Sequence, residues 1–261
     1  NIFQKAWPTR FFDVGIAEGH AVTFAGGLAT QGIRPVVAIY STFLQRAYDN
    51  IIHDIAVQHL PVVFCMDRAG LVGEDGQTHM GLYDIAYMLA VPGMTVTAPK
   101  DGDELVGLLK TALVHEGGPF CTRYPRDKVP VDPRPVAEVA PVPYGTWEML
   151  RQGREVAILG VGTMVQPSLG AADLLRAEGL DCTVVNARFL KPLDRAMLEG
   201  LLRDHRVVLF MKGNRAQPQC GFSAKTVAAL DMVLPDYVAV DVLQNPDIRE
   251  GIKTFSSWPT I

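Results

Sequence analysis

Val62-Val63-Phe64-Cys65-Met66-Asp67 is an uninterrupted apolar run of strand length that ends in an acid. Such a run, bounded by longer stretches of helical period, is typical of a strand in a parallel sheet that helices cover on both faces. The same alternation continues on either side and predicts a series of βα units. The predicted strands are Phe11–Val14, Val36–Tyr40, Val62–Asp67 and Thr95–Ala98, and the predicted helices are Gly19–Gln31, Thr42–Val57 and Gly102–His115, the last with Asp101 as its N-cap.

A second α/β region is predicted after a stretch rich in proline. Prolines are dense from Pro125 to Pro143, where no period holds, and this indicates an extended linker. The sequence therefore predicts two three-layer α/β domains with mainly parallel sheets, at residues 1–126 and 151–261, with the linker at 127–150. The second domain has predicted strands at Val156–Gly160, Thr183–Asn186, Val207–Lys212 and Tyr237–Asp241, and predicted helices at Gln166–Glu178, Asp194–Leu202, Gly221–Leu230 and Ile248–Phe255.

The composition predicts a globular protein with a hydrophobic core, because 48% of its 261 residues are hydrophobic and 20% are charged. A net charge of −4 argues against nucleic acid or a membrane surface as a partner. The four cysteines form no CxxC pair, which predicts a reducing, cytoplasmic location. Cys65, Cys121 and Cys182 lie in apolar runs and are expected in the core. The chain lacks an initiator methionine and is expected to be a piece of a longer protein.

Several motifs place polar and aromatic side chains at predicted strand ends, where ligands bind in open parallel sheets. Phe12–His20 (FDVGIAEGH) puts Glu18 at a helix start, where an acid stabilises the helix in any case. Tyr40–Asp49 (YSTFLQRAYD) carries aromatics and an arginine, and Asp67–His79 (DRAGLVGEDGQTH) is a glycine-rich loop. A solvated turn would explain this loop, but its glycines favour a backbone with positive φ or one close to a ligand. Thr122–Arg126 (TRYPR) ends the domain.

These motifs, in this order, closely resemble the pyrimidine-binding domain of the 1-deoxy-D-xylulose-5-phosphate synthase family, which is related to transketolase. The likeness runs from Phe11 to Arg126, and Val184–Asp194 (VVNARFLKPLD) is similar to the family's C-terminal domain. The resemblance implies a thiamine-diphosphate-dependent transferase. Its substrates would be pyruvate and a small phosphorylated sugar, glyceraldehyde 3-phosphate, and its product 1-deoxy-D-xylulose 5-phosphate.

The resemblance also implies which residues bind the cofactor. Glu18 would be the catalytic acid that hydrogen-bonds the aminopyrimidine ring of thiamine diphosphate. Protonation of that ring nitrogen promotes the cofactor's own carbanion chemistry. Phe43 would stack on the pyrimidine, with Tyr40 and Arg46 beside it.

A second group of residues is implied to bind and process the substrate. Asp75 and His79 would be catalytic residues that hold the hydroxyl and carbonyl groups of the substrate and help proton transfer. Arg68 and Arg123 would bind the substrate phosphate, a task that suits the fork of a guanidinium group. Arg126 is a weaker candidate for the same task.

The metal-binding motif of the family is not found upstream of Glu18. In the family, a separate N-terminal domain with a Gly-Asp-Gly motif and a downstream Asn holds the diphosphate and Mg²⁺, and Gly102-Asp103-Glu104 lacks that pattern. We therefore expect no metal ligands in this chain. A working synthase would need a homodimer or a partner chain that carries the diphosphate-binding domain, and this chain alone is expected to be inactive.

The sequence follows a different pattern after Arg206. It contains Val207–Gly213 (VVLFMKG), Pro218–Ser223 (PQCGFS) and Trp258–Thr260 (WPT). Cys220 lies at a predicted helix start and Lys212 at the end of the preceding strand, and both features favour the thiolate.

These segments resemble the first half of a CGFS-type monothiol glutaredoxin. By that resemblance Cys220 would be the reactive or cluster-ligating thiolate, and Lys212 and Thr260 would lie at the glutathione site. The alternative to the synthase is thus a module that binds glutathione and a [2Fe–2S] cluster on an inactive α/β scaffold, and a third possibility is a chimera without activity. We expect residues 151–206 and 207–261 to form one continuous hybrid sheet of transketolase-like and thioredoxin-like elements.

Overall fold

The computed structural model describes residues 2–72, 75–129, 134–205, 208–234, 237–244, 246 and 249–250. Its helices are α1 (Ile2–Ala6), α2 (Glu18–Thr30), α3 (Ser41–Leu44), α4 (Tyr48–Asn50), α5 (Asp84–Ala90), α6 (Gly102–Val114), α7 (Val165–Ala177), α8 (Arg195–Asp204) and α9 (Gly221–Val233). Its strands are β1 (Val36–Tyr40), β2 (Val63–Asp67), β3 (Thr95–Thr97), β4 (Phe120–Arg123), β5 (Glu148–Arg151), β6 (Val156–Gly160), β7 (Cys182–Asn186), β8 (Phe189–Lys191), β9 (Val208–Met211) and β10 (Val238–Asp241).

The largest sheet has five strands in the order β1-β2-β4-β3-β8. The first four are parallel to one another, and β8 runs antiparallel to β3. Phe64 and Met66 of β2 are fully buried, in one cluster with Val22 of α2, Ile55 of a π-helical stretch and Met88 of α5. The mainly parallel α/β fold predicted from the apolar runs is therefore confirmed.

The remaining described strands form two smaller sheets. One has the order β5-β7-β6, and the other is the parallel pair β10-β9. Within the described residues, β9 and β10 pair with each other, so the expected single hybrid sheet over 151–261 is wrong. Strand β8 pairs with β3 of the five-stranded sheet. Its Phe189 is fully buried, and the Phe189 carbonyl accepts a hydrogen bond of 2.8 Å from Trp147 Nε1.

The chain divides into two compact units. The first comprises residues 1–150, 159–170 and 185–194, and the second comprises residues 151–158, 171–184 and 195–261. All the residues expected to bind thiamine diphosphate or its substrates belong to the first unit. Cys220 and Lys212 belong to the second.

Two predictions in the first unit are wrong. Phe11–Val14 is not a strand, because Asp13 Oδ1 accepts a hydrogen bond from the Gly15 amide at 3.0 Å and Gly15 adopts φ +62°, which turns the chain. The predicted helix Thr42–Val57 is instead broken into short helical pieces that include the π-helical stretch Ile51–Ala56. That stretch lies close to α2, where a Cβ on Gly26 would come within 2.9 Å of Ile55 Cδ1.

The sequence did not predict α1, α5, β4, β5 or β8, which are short. The other predicted elements lie within a few residues of the observed ones, and Asp101 does cap α6, with its Oδ1 accepting from the Glu104 amide at 2.8 Å. The predicted helix Ile248–Phe255 lies outside the described residues except for 249 and 250.

Three cysteines lie in the core, as predicted. Cys65, Cys121 and Cys182 are all buried, and burial raises the pKa of the Cys65 thiol to about 12. In the described part of the chain, no helix has the length and apolarity needed to span a bilayer.

Helix α6 offers a test of the core within one element. Leu108 is fully buried, whereas Leu113 on the same helix is 46% exposed. We expect Leu108→Ala to lower the free energy of unfolding by about 2–5 kcal/mol, since it removes buried methyl groups and leaves a cavity. Leu113→Ala should lower it by less than about 1 kcal/mol. Urea denaturation of both variants measures the difference, and equal losses would contradict the placement of α6.

Candidate functional site

Three parallel strands bring the predicted site residues to one edge of the five-stranded sheet. Tyr40, the last residue of β1, lies opposite Asp67, the last residue of β2. Arg123 ends β4 and lies opposite Met66 of β2. Because parallel strands share their carboxyl-terminal edge, residues far apart in sequence meet there, as expected for a ligand site in such a sheet.

Glu18 lies at this edge as the first residue of α2. It is 9% exposed, and Arg46 Nη1 donates a hydrogen bond of 3.1 Å to its Oε1. The Arg46 guanidinium also lies 5.3 Å from the centre of the Phe43 ring. Burial of a carboxylate is costly unless it is paired with a positive charge. Arg46 supplies that charge, and its hydrogen bond uses only Oε1 of the two Glu18 oxygens.

Three rings form an aromatic group beside this pair. Tyr40 and Phe43 are stacked with centroids 5.5 Å apart, and His79 meets Phe43 edge-on at 5.1 Å. The same imidazole lies 6.3 Å from the Tyr40 ring. The group therefore joins the end of β1 to the glycine-rich loop that carries His79.

The glycine-rich loop is held at its base by backbone hydrogen bonds. The Gly70 amide donates to the Gly81 carbonyl at 2.9 Å, and the Gly81 amide donates to the Arg68 carbonyl at 3.1 Å. A Cβ on Gly81 would lie only 2.6 Å from the Arg68 carbonyl oxygen, so this approach requires glycine. Arg68 itself adopts φ +56°, a strained value that is typical of functional sites.

The Arg68 side chain is held by two carboxylates and a ring. Its Nε donates to Asp75 Oδ2 at 2.7 Å, and its Nη1 donates to Asp67 Oδ2 at 2.8 Å. Its guanidinium lies 3.6 Å from the centre of the Tyr40 ring. Arg126 donates a further hydrogen bond to Asp75 Oδ1.

The two carboxylates that hold Arg68 differ in their electrostatics. Hydrogen bonds from Arg126 and Arg68 hold the pKa of the Asp75 carboxyl below its ordinary value. Burial raises the pKa of Asp67 above its ordinary value, although Arg68 opposes this shift. Asp67 Oδ1 is buried and accepts no hydrogen bond from the described residues.

Arg123 has a partner that the sequence did not indicate. Its Nε donates a hydrogen bond of 2.7 Å to Oδ2 of Asp84, the first residue of α5. Asp84 is 2% exposed. The sequence signal that could have identified Asp84 was an acid as the first residue of the apolar helix at 84–90. Such an acid is ordinary at a helix start and does not indicate a buried ion pair.

The second group of predicted residues lies around the start of α9. Cys220 directly precedes α9 and is half-buried, and Lys212 directly follows β9. The Lys212 carbonyl accepts from the Gln219 amide at 2.8 Å, which closes the loop between them, and the Lys212 amide donates to Ser223 Oγ at 3.1 Å. Thr260, the third predicted residue of this group, lies outside the described residues.

The structure thus joins most of the predicted thiamine-diphosphate and substrate residues in one network of contacts. Its members are Glu18, Tyr40, Phe43, Arg46, Arg68, Asp75, His79 and Arg126. Arg123 lies at the same edge of the sheet but is bound to Asp84. No cluster of three or more His, Cys, Asp or Glu side chains suited to a metal ion occurs among the residues that the structure describes.

Comparison with known proteins identifies two families along the chain. The family described as "Transketolase, pyrimidine binding domain" matches residues 1–132, and "Transketolase, C-terminal domain" matches residues 145–244. The second match continues past the junction expected near residue 206, and it gives no support to a glutaredoxin fusion.

Curated relatives and a solved structure agree with these matches. The chain is 52% identical over 239 residues to a 1-deoxy-D-xylulose-5-phosphate synthase of Thermomicrobium roseum, which covers 89% of this chain and 37% of the relative. The corresponding protein of Gloeobacter violaceus is 51% identical over 251 residues, covering 96% of this chain and 38% of the relative. A structure titled "Split gene transketolase, inactive beta4 tetramer" superposes with a TM-score of 0.74 at 31% identity, covering 92% of this chain and 76% of that one.

The chain spans little more than a third of the length of these curated relatives. A transketolase variant from Pichia stipitis, at 17% identity and a TM-score of 0.59, covers 72% of this chain and 29% of that one and shares the fold. The family match over 1–132 and the split-gene structure decide the assignment. The chain belongs to the transketolase family, and its pyrimidine-binding and C-terminal regions are about half identical to those of 1-deoxy-D-xylulose-5-phosphate synthases.

Proposed function

We propose that this chain supplies the pyrimidine-binding side of the active site in a thiamine-diphosphate enzyme that makes 1-deoxy-D-xylulose 5-phosphate from pyruvate and glyceraldehyde 3-phosphate. The observation that carries the proposal is the buried Glu18 carboxylate at the start of α2, paired with Arg46 beside the Phe43 ring. The identity of about 50% to synthases of this name supports the choice of reaction.

The residues at this site fit an aminopyrimidine. A buried carboxylate suits a ring nitrogen that has to carry a proton, and an aromatic face suits a flat heterocycle. Glu18 and Phe43 supply these two groups, and Arg46 contacts both of them. Thiamine diphosphate, when bound, supplies the electron sink that lets a 2-keto acid lose carbon dioxide.

The chain's own side chains would then act on the substrate. His79, which lies against Phe43, would exchange a proton with the substrate carbonyl or hydroxyl group. Asp75 stays ionised because its pKa is held down, so it would accept hydrogen bonds from substrate hydroxyl groups. Arg68, already bound by Asp67 and Asp75, would share its remaining N–H groups with the substrate phosphate.

A second polypeptide region is needed for the diphosphate and Mg²⁺. The chain spans little more than a third of its curated relatives, and it resembles one chain of a split-gene transketolase whose title describes an inactive tetramer. We therefore propose that a region outside residues 1–261, on the same chain or on a partner, completes the cofactor site, and that the protein works as a homodimer or larger assembly.

The alternative function is a module that binds glutathione and a [2Fe–2S] cluster through Cys220. The observation that favours it is that β9 and β10 pair with each other and that Cys220 stands at the start of the 13-residue helix α9. By this alternative, Cys220 and Lys212 would bind glutathione, and two chains would share a [2Fe–2S] cluster.

The pyrimidine site is tested by calorimetry with thiamine diphosphate and Mg²⁺. We expect the chain to bind, and Glu18→Gln to weaken the affinity at least about tenfold, because a hydrogen bond to a charged group is lost. Glu199→Gln, the same change at an exposed position in α8, is the control and should bind like the parent chain. Unchanged binding in Glu18→Gln would contradict the proposal.

The two carboxylates that hold Arg68 should titrate on opposite sides of the ordinary aspartate value of about 3.9. Carbon-13 NMR of the side-chain carboxyl groups should show a pKa below it for Asp75 and above it for Asp67. Ionised Asp75 therefore contributes stability that is lost as the pH falls through its folded-state pKa. The contribution of Asp67 has the opposite sign and is lost as the pH rises through its own folded-state pKa.

Arg126→Gln provides the control for this titration. It removes the hydrogen bond that lowers the pKa of Asp75 most, so that pKa should rise. Arg134→Gln, a change at an arginine that pairs with Asp103 instead, should leave both values where they were. An Asp75 pKa that does not respond to Arg126→Gln would refute this account of the loop.

The alternative is tested by reconstitution of the purified chain with iron, sulfide and glutathione. If Cys220 ligates a cluster, the chain should absorb visible light, and Cys220→Ser should abolish the absorbance. The same mixture without glutathione is the control. A colourless chain under these conditions would eliminate the glutaredoxin-like module.

A further inference from the structure

Asp84 is more deeply buried than its position in the chain requires. An aspartate in the first turn of a helix usually lies in solvent, where it stabilises the helix N-terminus. Asp84 is 2% exposed, and both of its oxygens are engaged: Oδ1 accepts from the Ile85 amide at 2.8 Å and Oδ2 from Arg123 Nε at 2.7 Å. Burial of a charge is unfavourable unless it is paired, so Arg123 is the reason that a carboxylate is stable there.

The bond to Asp84 leaves one side of the Arg123 guanidinium available. It uses Nε, and neither Nη atom donates a hydrogen bond to another described residue. Nη2 lies beside the glycine-rich loop, since a Cβ on Gly70 would come within 3.8 Å of it. Two Nη groups in one plane form the fork that binds the oxygens of a phosphate.

Each of the other arginines of the site uses an Nη atom to bind a carboxylate, as Arg46 does with Glu18. Arg68 donates to both Asp67 and Asp75, and Arg126 donates to Asp75. Arg123 is bound through Nε, and neither of its Nη atoms is hydrogen-bonded to a described residue, so its fork is the better placed for an anion. Asp84 is itself an anion and adds no attraction for a phosphate, so what it contributes to phosphate binding is the hydrogen bond to Nε, which holds the guanidinium in one orientation.

Helix α5 is well placed to fix this direction. It follows Gly81, which is hydrogen-bonded to Arg68 and Gly70 at the base of the loop. Tyr87 of α5 donates from its hydroxyl to the Ser41 carbonyl at 3.0 Å, next to the segment that carries Phe43. Asp84 thus joins Arg123, at the end of β4, to α5, and α5 also contacts the segment that carries the aromatic group.

We infer that Asp84 is a positioning residue that orients the Nη fork of Arg123 toward the phosphate of the sugar-phosphate substrate, and so determines the preference for phosphorylated over unphosphorylated aldehydes. The inference rests on the proposed function, because it takes Arg123 to be the phosphate ligand. Asp84 itself contacts no substrate.

The experiment compares the binding of glyceraldehyde 3-phosphate and of glyceraldehyde by calorimetry. Asp84→Ala should weaken binding of the phosphate at least about tenfold, as Arg123→Gln should, because the fork is no longer held. Neither change should alter binding of glyceraldehyde. Asp84→Asn keeps an oxygen that accepts from Nε and should restore the affinity to within about threefold of the parent, whereas Asp84→Glu keeps the charge but displaces it and should not.

Asp103→Ala is the matched control. Asp103 also lies in the first turn of a helix and also accepts from an arginine Nε, that of Arg134 at 2.6 Å, but this pair is exposed and lies outside the network of predicted site residues. It should leave the preference for the phosphorylated aldehyde intact. Should Asp84→Ala not fold, as judged by circular dichroism, the comparison of Asn with Glu decides the inference.

The outcomes separate this inference from the proposed function. A parent chain that binds both aldehydes equally, or an Arg123→Gln variant that keeps the preference, would refute the phosphate role of Arg123 and the inference with it. A preference lost in Arg123→Gln but kept in folded Asp84→Ala, or in Asp84→Glu, would overturn the positioning role of Asp84 alone.

Discussion

The parallel pairing of β1, β2 and β4 is the constraint on which the first unit depends. Its register puts Tyr40 opposite Asp67 and Met66 opposite Arg123, so the chain's aromatic, acidic and basic groups meet at one edge. Side chains on both faces of β2 are buried, and they fix this register because a shift by one residue would exchange the faces against which Phe64 and Met66 pack. The chemistry of the edge is thus a consequence of how the core packs.

At that edge, the arginines and carboxylates hold one another in place. Arg46 pairs with Glu18, Arg68 with Asp67 and Asp75, and Arg123 with Asp84. Pairing of this kind keeps charged side chains oriented before a ligand arrives, and such preorganisation is a main source of electrostatic stabilisation in active sites. Asp67 Oδ1, which accepts no hydrogen bond from the described residues, and the positive φ of Arg68 show that the arrangement carries a local cost, as functional sites often do.

The second unit is organised differently from what the sequence pattern suggested. Its last described strands, β9 and β10, pair with each other, whereas β8 is part of the five-stranded sheet. The transketolase C-terminal match extends over β9, α9 and β10, so the family assignment covers the segment that resembles a glutaredoxin. The chemistry of Cys220 is therefore a separate question from the family of the chain.

The amino-acid sequence by itself determined the α/β class, most long helices and strands, and the identity of the polar groups at the strand ends, because apolar period and glycine-rich motifs are local signals. It also singled out Glu18, Phe43, Arg68 and His79, which the structure does bring together. Only the tertiary structure decided that Arg123 is held by Asp84, 39 residues away, and that β8 pairs with β3. Short elements such as α5 and β8 carry too few residues for a periodic signal, and their positions depend on contacts with distant parts of the chain, which no local pattern encodes.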